Sequence, residues 1–377
     1  MSRLVFRSIL AVTVATGALS AAAPALASDT RFSVDLRSGL GYSRNPFLST
    51  GETGSGSIEF GVTPELQIVD SLGTTALNAR YNRTEWFRRY SASDNYGAGL
   101  TSDRQLSART KMTARLDYDS SVLALIDPID VPLIAGRQRR ERYVGSLGFV
   151  YQPGARDTIS VDGSVMHNDY GRRDIGTNWT YTGTLGYDRG LTETSSIGGR
   201  VTYSRSDYRG DFDSDVVTPQ LVYKNRFAGG WNLEAGVGLI YISRPTGDDT
   251  SLSADLSLCK EDERLTLCLA GSRASQSTGY GSVRIETMVE ASGQYRTSER
   301  GTLSAAASYS RSNGEDIFFA SRRVEYLRGN LTYEHALNED ISVGAETRYR
   351  DIDDQVSVAR KADVSGQVFI RAVVGER

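Results

Sequence analysis

From residue 30 to the end of the chain, apolar and polar residues alternate in runs of roughly ten positions, and each run is ended by a break. Alternation with a period of two places one set of side chains on each face of a β-strand. In the run around Ile159, the apolar residues Ile159, Val161 and Val165 are interleaved with Ser160 and Asp162. An α-helix does not keep this parity, so the pattern predicts an all-β protein.

Eighteen such runs follow one another, and an even number of strands brings the chain back to the side from which it started. The predicted strands are 31–43, 55–69, 75–87, 95–107, 111–123, 141–152, 157–168, 178–190, 194–206, 215–227, 231–243, 250–260, 263–273, 281–297, 301–311, 322–335, 340–350 and 361–374. The order predicts an antiparallel up-and-down arrangement of about 18 strands, with 16 strands as the alternative.

The breaks between these runs are of two kinds, and the two kinds alternate. The tight breaks are 71–73, 153–154, 191–192, 228–230, 261–262, 298–299 and 337–338, and the longer polar ones are 44–54, 124–140, 169–177, 207–214, 274–280, 312–321 and 351–360. Outer-membrane barrels have short periplasmic turns and longer external loops. The alternation therefore predicts a transmembrane antiparallel β-barrel with both ends in the periplasm.

Tyrosine residues on the apolar parity mark where the strands leave the hydrocarbon. Late on outward-running strands lie Tyr42, Tyr81, Tyr118, Tyr203, Tyr241, Tyr309 and Tyr349, and late on inward-running strands lie Tyr151, Tyr187, Tyr223, Tyr295 and Tyr333. These positions form two aromatic belts, where a ring can lie at the edge of the hydrocarbon and its hydroxyl among the headgroups. A soluble β-sandwich has no reason for this placement.

The N-terminus predicts export. Arg3 and Arg7 precede an apolar run from 8 to 23, and Pro24-Ala25-Leu26-Ala27 ends it with small residues. This is the pattern of a signal peptide over 1–27, which leaves residues 28–377 as a single barrel domain.

The whole chain has a net charge of −3, and loss of two arginines makes the mature part −5, so no nucleic-acid partner is indicated. The expected location is the outer membrane of a Gram-negative bacterium, in contact with lipid and lipopolysaccharide.

The polar parity would face the lumen, and a barrel of 16–18 strands can enclose water. The charged residues predicted to line the pore are Arg115, Asp117, Arg200, Glu234, Arg284, Glu286, Glu290, Glu346 and Arg348. Both signs are mixed, so no strong ion selectivity is expected. The pattern favours a passive channel without a cofactor. The insertion 124–140 ends in an arginine-rich stretch that includes Arg137, Arg139 and Arg140 and continues to Arg142. The insertion either constricts the pore or lies outside against lipopolysaccharide phosphates.

Catalytic and metal chemistry have little support. His167 and His335 fall at opposite ends of their strands, and no Ser stands in a Gly-x-Ser-x-Gly elbow, so an outer-membrane enzyme is the disfavoured alternative. Asp211, Asp213 and Asp215 have the alternate spacing of hard-cation loops but lack the later ligands of a full calcium loop, so a solvated acidic loop is the simpler interpretation.

Cys259 and Cys268 flank the break at 261–262 in an oxidising compartment. A tight turn centred there places Cys259 opposite Arg264 and Cys268 opposite Asp255, too far apart for a disulfide. A bulge or a longer turn would bring the two thiols together. The sequence leaves both arrangements open.

The end of the first strand reads Gly41-Tyr42-Ser43-Arg44-Asn45-Pro46-Phe47-Leu48. An aromatic residue followed by Asn-Pro-Phe-Leu at this place resembles the outer-membrane β-barrel porin family found with exopolysaccharide synthesis and export genes. The resemblance implies a channel or accessory component for polysaccharide, with envelope export components as partners. The chain departs from many such barrels because it ends in Gly375-Glu376-Arg377 rather than an aromatic residue. A plugged barrel that anchors an envelope assembly is the alternative function.

Overall fold

The computed structural model describes residues 29–49, 53–122, 139–171, 177–208, 213–245, 247–277, 283–316, 319–353 and 361–375. The predicted signal peptide and almost all of the insertion 124–140 lie outside these residues. The strands are Asp29–Ser43 (β1), Ser55–Asp70 (β2), Gly73–Trp86 (β3), Ser93–Ser107 (β4), Thr110–Val122 (β5), Arg139–Tyr151 (β6), Asp157–Asp169 (β7), Asn178–Gly190 (β8), Ser195–Tyr208 (β9), Ser214–Phe227 (β10), Trp231–Ser243 (β11), Asp249–Glu261 (β12), Leu265–Ser277 (β13), Val283–Arg296 (β14), Gly301–Asp316 (β15), Phe319–Ala336 (β16), Ile341–Asp353 (β17) and Asp363–Gly375 (β18).

The strands form one closed antiparallel barrel. Each pairs with its neighbours in the sequence, and β1 also pairs with β18 from Ser33–Gly375 to Ser43–Ser365. Closure leaves no sheet edge, which is what hydrocarbon demands of a β-structure. The 18 predicted strands are therefore confirmed, and the 16-strand alternative is wrong. The largest difference in bounds is in β15, which continues five residues beyond its predicted end at 311, to Asp316.

The outer surface of the barrel is apolar. Leu116, Leu147, Leu185 and Leu221 expose between 45% and 58% of their surface on the outward parity. Nearly all the predicted belt tyrosines are exposed on this face as well; Tyr118 is half-buried because its ring packs 4.8 Å from that of its neighbour on β6.

No helix of the described residues is long and apolar enough to span a membrane. A closed strand ladder with an apolar outer face and two tyrosine belts is the structure that an outer membrane accommodates. The protein is an integral β-barrel of a Gram-negative outer membrane.

The periplasmic turn between β12 and β13 corrects the predicted register. Cys259 lies directly opposite Cys268, and a disulfide joins them. The turn runs through residues 262–264 and is closed by the Asp262 amide, which donates to the Leu265 carbonyl at 2.9 Å. The tight-turn register, with Cys259 opposite Arg264, is therefore wrong, because β12 continues through Glu261 and the turn is centred about two residues further along the chain than the break at 261–262.

Candidate functional site: the lumen and its external mouth

The predicted lumen residues are spread around the wall and form separate ion pairs. Arg200 on β9 contacts Glu234 on β11 at 3.0 Å, and Arg115 lies 3.8 Å from Asp117 on β5. Glu290 on β14 lies 3.9 Å from an arginine of β16. The structure brings these residues together as pairs rather than as a single ring.

Glu346 and Arg348 belong to a network on β17 and β1 that the sequence prediction covered only in part. The Glu346 carboxylate accepts from Arg37 at 2.8 Å and from Arg348 at 3.0 Å, and its side chain is only 10% exposed. Arg37 also lies over the ring of Phe369, 3.9 Å from its centroid. Towards the periplasm, Arg371 donates to Asp35 at 2.6 Å. Arg37, Asp35 and Arg371 were missed, although all three lie on the polar parity of predicted strands.

Residues 45–49, here called the mouth turn, follow β1 directly. The Leu48 amide donates to the Asn45 carbonyl at 3.1 Å, and Pro46 occupies the second position of this turn, where its fixed φ is suitable. The Asn45 side chain closes the segment, since its oxygen accepts from the Ser49 amide and its nitrogen donates to the Ser49 carbonyl. Leu48 has a φ of 49°, a left-handed conformation that a non-glycine residue keeps only where its surroundings hold it.

Asp363, at the external end of β18, holds the mouth turn against the wall. Its carboxylate accepts from the Ser43 hydroxyl at 2.6 Å, from the Asn45 amide at 2.9 Å and from Arg350 at 2.7 Å. Arg350 donates to the Pro46 carbonyl as well, at 2.9 Å. Asp363 is 1% exposed and Asn45 is completely buried. These charge-assisted hydrogen bonds are stronger than neutral ones.

Apolar contacts complete the seat of the mouth turn. Leu48, which is 1% exposed, packs against Val324 and Ile352 on the inner faces of β16 and β17. On the opposite side, the Phe47 ring lies 5.7 Å from Trp86 and 4.8 Å from the Tyr90 ring. The Asn-Pro-Phe-Leu segment is thus an ordered part of the inner wall at the mouth.

A second element, the hairpin tip formed by 274–277 of β13 and 283–286 of β14, covers the other side of the mouth. Pairing between β12 and β13 stops at Ala254–Arg273, whereas β13 and β14 remain paired up to Ser277–Val283. The Ser277 hydroxyl reaches the inner face of β8, 3.2 Å from that of Thr180. In the strand order, β8 and β13 are five places apart, so the tip has left the wall and crosses over the lumen.

The face that the hairpin tip turns to the inner wall is its apolar one. Val283 and Ile285 have the same parity as Val289, which is 46% exposed on the outside of the barrel. In the tip, they instead form a buried cluster with apolar residues of β10 and β11, including Ile240, which has no exposed surface. Folding inwards therefore hides apolar side chains that lie beyond the membrane.

Arg284 and Glu286 were predicted to line the pore, and both lie in this tip. Arg284 is completely buried, and Glu286 is half-buried. Both residues have the parity of the lumen-facing residues of β14. The hairpin bends inwards, however, so they lie in a packed layer at the mouth rather than along the open wall.

The mouth turn and the hairpin tip determine which inward-facing residues of the lumen are buried. Inward-facing residues near the external ends of the strands are buried: Ser43, Ser55, Ser57, Asn168, Asn178, Ser206, Ser214, Ser253 and Ser312. Inward-facing residues lower in the barrel are exposed: Arg115, Asp162, Asn232, Gln294, Arg328 and Asn330. The described lumen is thus open and polar from the periplasmic side and narrowed at the external mouth.

Directly below the mouth turn lies a hollow of about 310 Å³ in the inner wall. Its lining residues are Gly41, Tyr42, Ser43, Pro46, Ser57, Glu59, Asn82, Thr84, Trp86, Asn95, Glu346, Arg348, Arg350, Asp363, Ser365, Gly366 and Gln367. Gly39 and Gly41 make room here, because the Gln367 amide nitrogen lies only 2.2 Å from where a Cβ of residue 39 would be.

The remaining candidates form no common site in the described residues. His167 is stacked 4.2 Å from the Trp179 ring on the outer surface, and His335 lies on the periplasmic part of β16, opposite Gly301. Asp213 is paired with an arginine of β9 at 2.9 Å, and Asp215 accepts from a tyrosine hydroxyl at 2.6 Å. Asp211 lies outside the described residues. Within the described ranges, no cluster of metal-ligating side chains occurs.

Comparison with known proteins finds similar barrels only among solved structures. No protein-family model matches the chain, and no curated protein matches it. A BenF-like porin from Pseudomonas fluorescens Pf-5 has 10% identity and a TM-score of 0.48, over 92% of this chain and 99% of that one. OccK9 (OpdG) of Pseudomonas aeruginosa has 13% identity and a TM-score of 0.47, over 92% and 99%. The ferric citrate transporter FecA has 12% identity and a TM-score of 0.44, over 85% and 60%. The fold assignment rests on the closed strand ladder of this chain itself.

Proposed function

We propose that the protein is a gated outer-membrane channel for polar solutes and not an enzyme. The observation that carries the proposal is the contrast within the lumen: a wide polar wall that is exposed from the periplasmic side, below two elements that fold inwards at the external mouth. Passage requires the mouth turn, the hairpin tip or both to move.

The construction of the mouth suits a gate better than a permanent plug. The mouth turn is a short segment seated by Asp363, Arg350 and the packing of Leu48, and the hairpin tip is paired as a strand with the wall on one side only, through β15. Below them, side chains such as Arg115, which is 62% exposed, and Asn232 face open water. A permanent plug would have no need of an exposed charged wall beneath it.

The experiment that tests the channel is a lock on the hairpin tip. The Thr180→Cys and Ser277→Cys pair replaces two hydroxyls 3.2 Å apart. Oxidation should hold the tip closed and abolish single-channel openings in a planar bilayer, and a reductant should restore them. Wild-type protein given the same reductant controls for reduction of the native Cys259–Cys268 bond. A folded barrel that is silent in KCl in both states would contradict the channel and favour an anchoring role.

The finer hypothesis, polysaccharide as the solute, is supported by the resemblance carried by Asn45-Pro46-Phe47-Leu48, and envelope export components would then be partners. Purified exopolysaccharide fragments should interrupt the single-channel current in the wild type. The Asn45→Ala variant should change the duration of these interruptions, because Asn45 shapes the turn at the mouth. Fragments that never interrupt the current of an open channel would contradict the polysaccharide hypothesis alone.

A further inference from the structure

We propose that the hollow below the mouth turn is a binding subsite for a neutral sugar ring. The proposal rests on the channel function, because a solute reaches the hollow only through the lumen. It names one chemical class of solute, and its location is set by side chains of β2, β3, β17 and β18.

The lining includes two aromatic residues, of which Tyr42 belongs to the outward-facing belt and Trp86 lies on the inner parity, together with many hydrogen-bonding groups. Trp86 contributes the ring, and its position is held by Phe47 on one side and by Tyr90, whose centroid lies 5.9 Å away. An indole offers an apolar surface to the C–H face of a pyranose, while the polar wall can meet its hydroxyls. A volume of about 310 Å³ lies at the small end of ligand sites.

Three polar side chains of the hollow have hydrogen-bonding capacity that the described residues do not use. The Gln367 amide nitrogen is buried and has no partner there. Asn82 is exposed and makes no hydrogen bond to the described chain, although its oxygen lies over Gly61. Glu59 interacts electrostatically with Arg348 without a hydrogen bond to the described residues. The two side-chain amides and the carboxylate together offer both hydrogen-bond donors and acceptors. Neighbouring hydroxyls of a sugar need both, because each hydroxyl can donate and accept.

The balance of charge favours a neutral ligand. The carboxylates of Glu59, Glu346 and Asp363 line the hollow together with the guanidiniums of Arg348 and Arg350. Arg37 reaches Glu346 from the wall below, which makes three groups of each sign. A strongly charged solute would meet a like charge wherever it bound, whereas a hydroxyl can accept from a guanidinium and donate to a carboxylate.

The charged groups are already fixed before any ligand arrives. Glu346 is held by Arg37 and Arg348, and Asp363 is held by Arg350. Such fixed partners reduce the ordering that binding must otherwise impose. The groups without a hydrogen bond to the described residues, such as the Asn82 amide, can then form hydrogen bonds to the ligand.

The test uses the fluorescence of Trp86 in the folded, detergent-solubilised barrel. The chain has three tryptophans, and Trp179→Phe with Trp231→Phe leaves only the one in the hollow. This reporter protein is titrated with neutral trisaccharides of glucose, galactose and mannose, and separately with glucuronate. We expect saturable binding of at least one neutral sugar, weakened at least tenfold by Asn82→Ala.

The matched control is Asn232→Ala, which removes an exposed inward amide from β11 near the periplasmic end. It should leave the affinity unchanged. Absence of saturable binding across the neutral panel would overturn the subsite, as would tighter binding of glucuronate or an affinity unaffected by Asn82→Ala. Conductance in KCl, recorded on the same protein, separates this result from failure of the channel itself.

Discussion

Asp363→Asn is the substitution that most directly tests whether the mouth turn acts as a gate. The change keeps the size of the side chain but removes the charge that faces Arg350 at 2.7 Å. The two side chains are only 1% and 14% exposed, so water screens their interaction little. Breaking a buried ion pair costs about 3–5 kcal/mol.

The expected effect on the gate follows from that cost. If the closed turn loses about 3 kcal/mol, the lower end of the range, then at about 1.4 kcal/mol per factor of ten the ratio of open to closed mouths rises about a hundredfold. Retained hydrogen bonds from Ser43 and Asn45 to the new amide oxygen would reduce this figure. The barrel itself should stay folded, because its strand ladder is untouched.

Two measurements read the outcome. Single-channel recordings in KCl should show a higher open probability than the wild type. In a Ser57→Cys background, whose residue 57 is 4% exposed within the hollow, a polar thiol reagent added only on the external side of lipid vesicles should react about a hundredfold faster. The hundredfold figure assumes that the reagent reacts only with the open mouth.

The control is Asp188→Asn, which removes the charge of another inward ion pair, 3.1 Å from Lys224, in the periplasmic half of the barrel. It should change neither the open probability nor the labelling rate. If Asp363→Asn and Asp188→Asn behave alike in both measurements, Asp363 does not hold the mouth turn and the reasoning fails.

Three further substitutions test other parts of the structure. Ile285→Ala, at a residue that is 8% exposed in the packed hairpin tip, should destabilise the closed tip by about 2–5 kcal/mol and lengthen channel openings; unchanged dwell times would contradict the packing. Replacing both Cys259 and Cys268 by Ser removes a link between residues nine apart and should lower the free energy of unfolding by roughly 2–3 kcal/mol, seen as a lower urea midpoint with unaltered conductance. Leu147→Arg on the outer face should cost about 2–4 kcal/mol in folding into lipid vesicles, and equal folding yields would argue against this face lying in the membrane.

The strands could be predicted because the membrane itself imposes the pattern. Lipid on one side and water on the other require alternation at every position of a spanning strand, so local sequence is sufficient to find all eighteen. The same parity predicts Glu346 and Arg348 as inward-facing, and both are among the residues that line the hollow. Bounds were least accurate where β13 and β15 extend past the predicted ends at 273 and 311, because beyond the bilayer nothing enforces alternation.

The disulfide and the inward fold of the hairpin tip could not be predicted from local sequence, for two different reasons. Whether Cys259 meets Cys268 depends on where the turn is centred. Moving the centre by two residues moves the partner of Cys259 by four, from Arg264 to Cys268, and leaves the parity intact. Val283 and Ile285 continue the lipid-facing parity of β14, and only contact with β10 and β11 turns them inwards.

The sequence by itself determined the barrel, the side of the wall on which each strand residue lies and the presence of an unusual segment at Asn45–Leu48. Each of these three features can be inferred from residues that are close together in the sequence. Only the tertiary structure decided that this segment closes part of the mouth, because Asp363 and Arg350, which hold it, are some 300 residues away in sequence. Closure of the barrel brings β18 beside β1, and that contact between the last and first strands seats the mouth turn and forms the hollow below it.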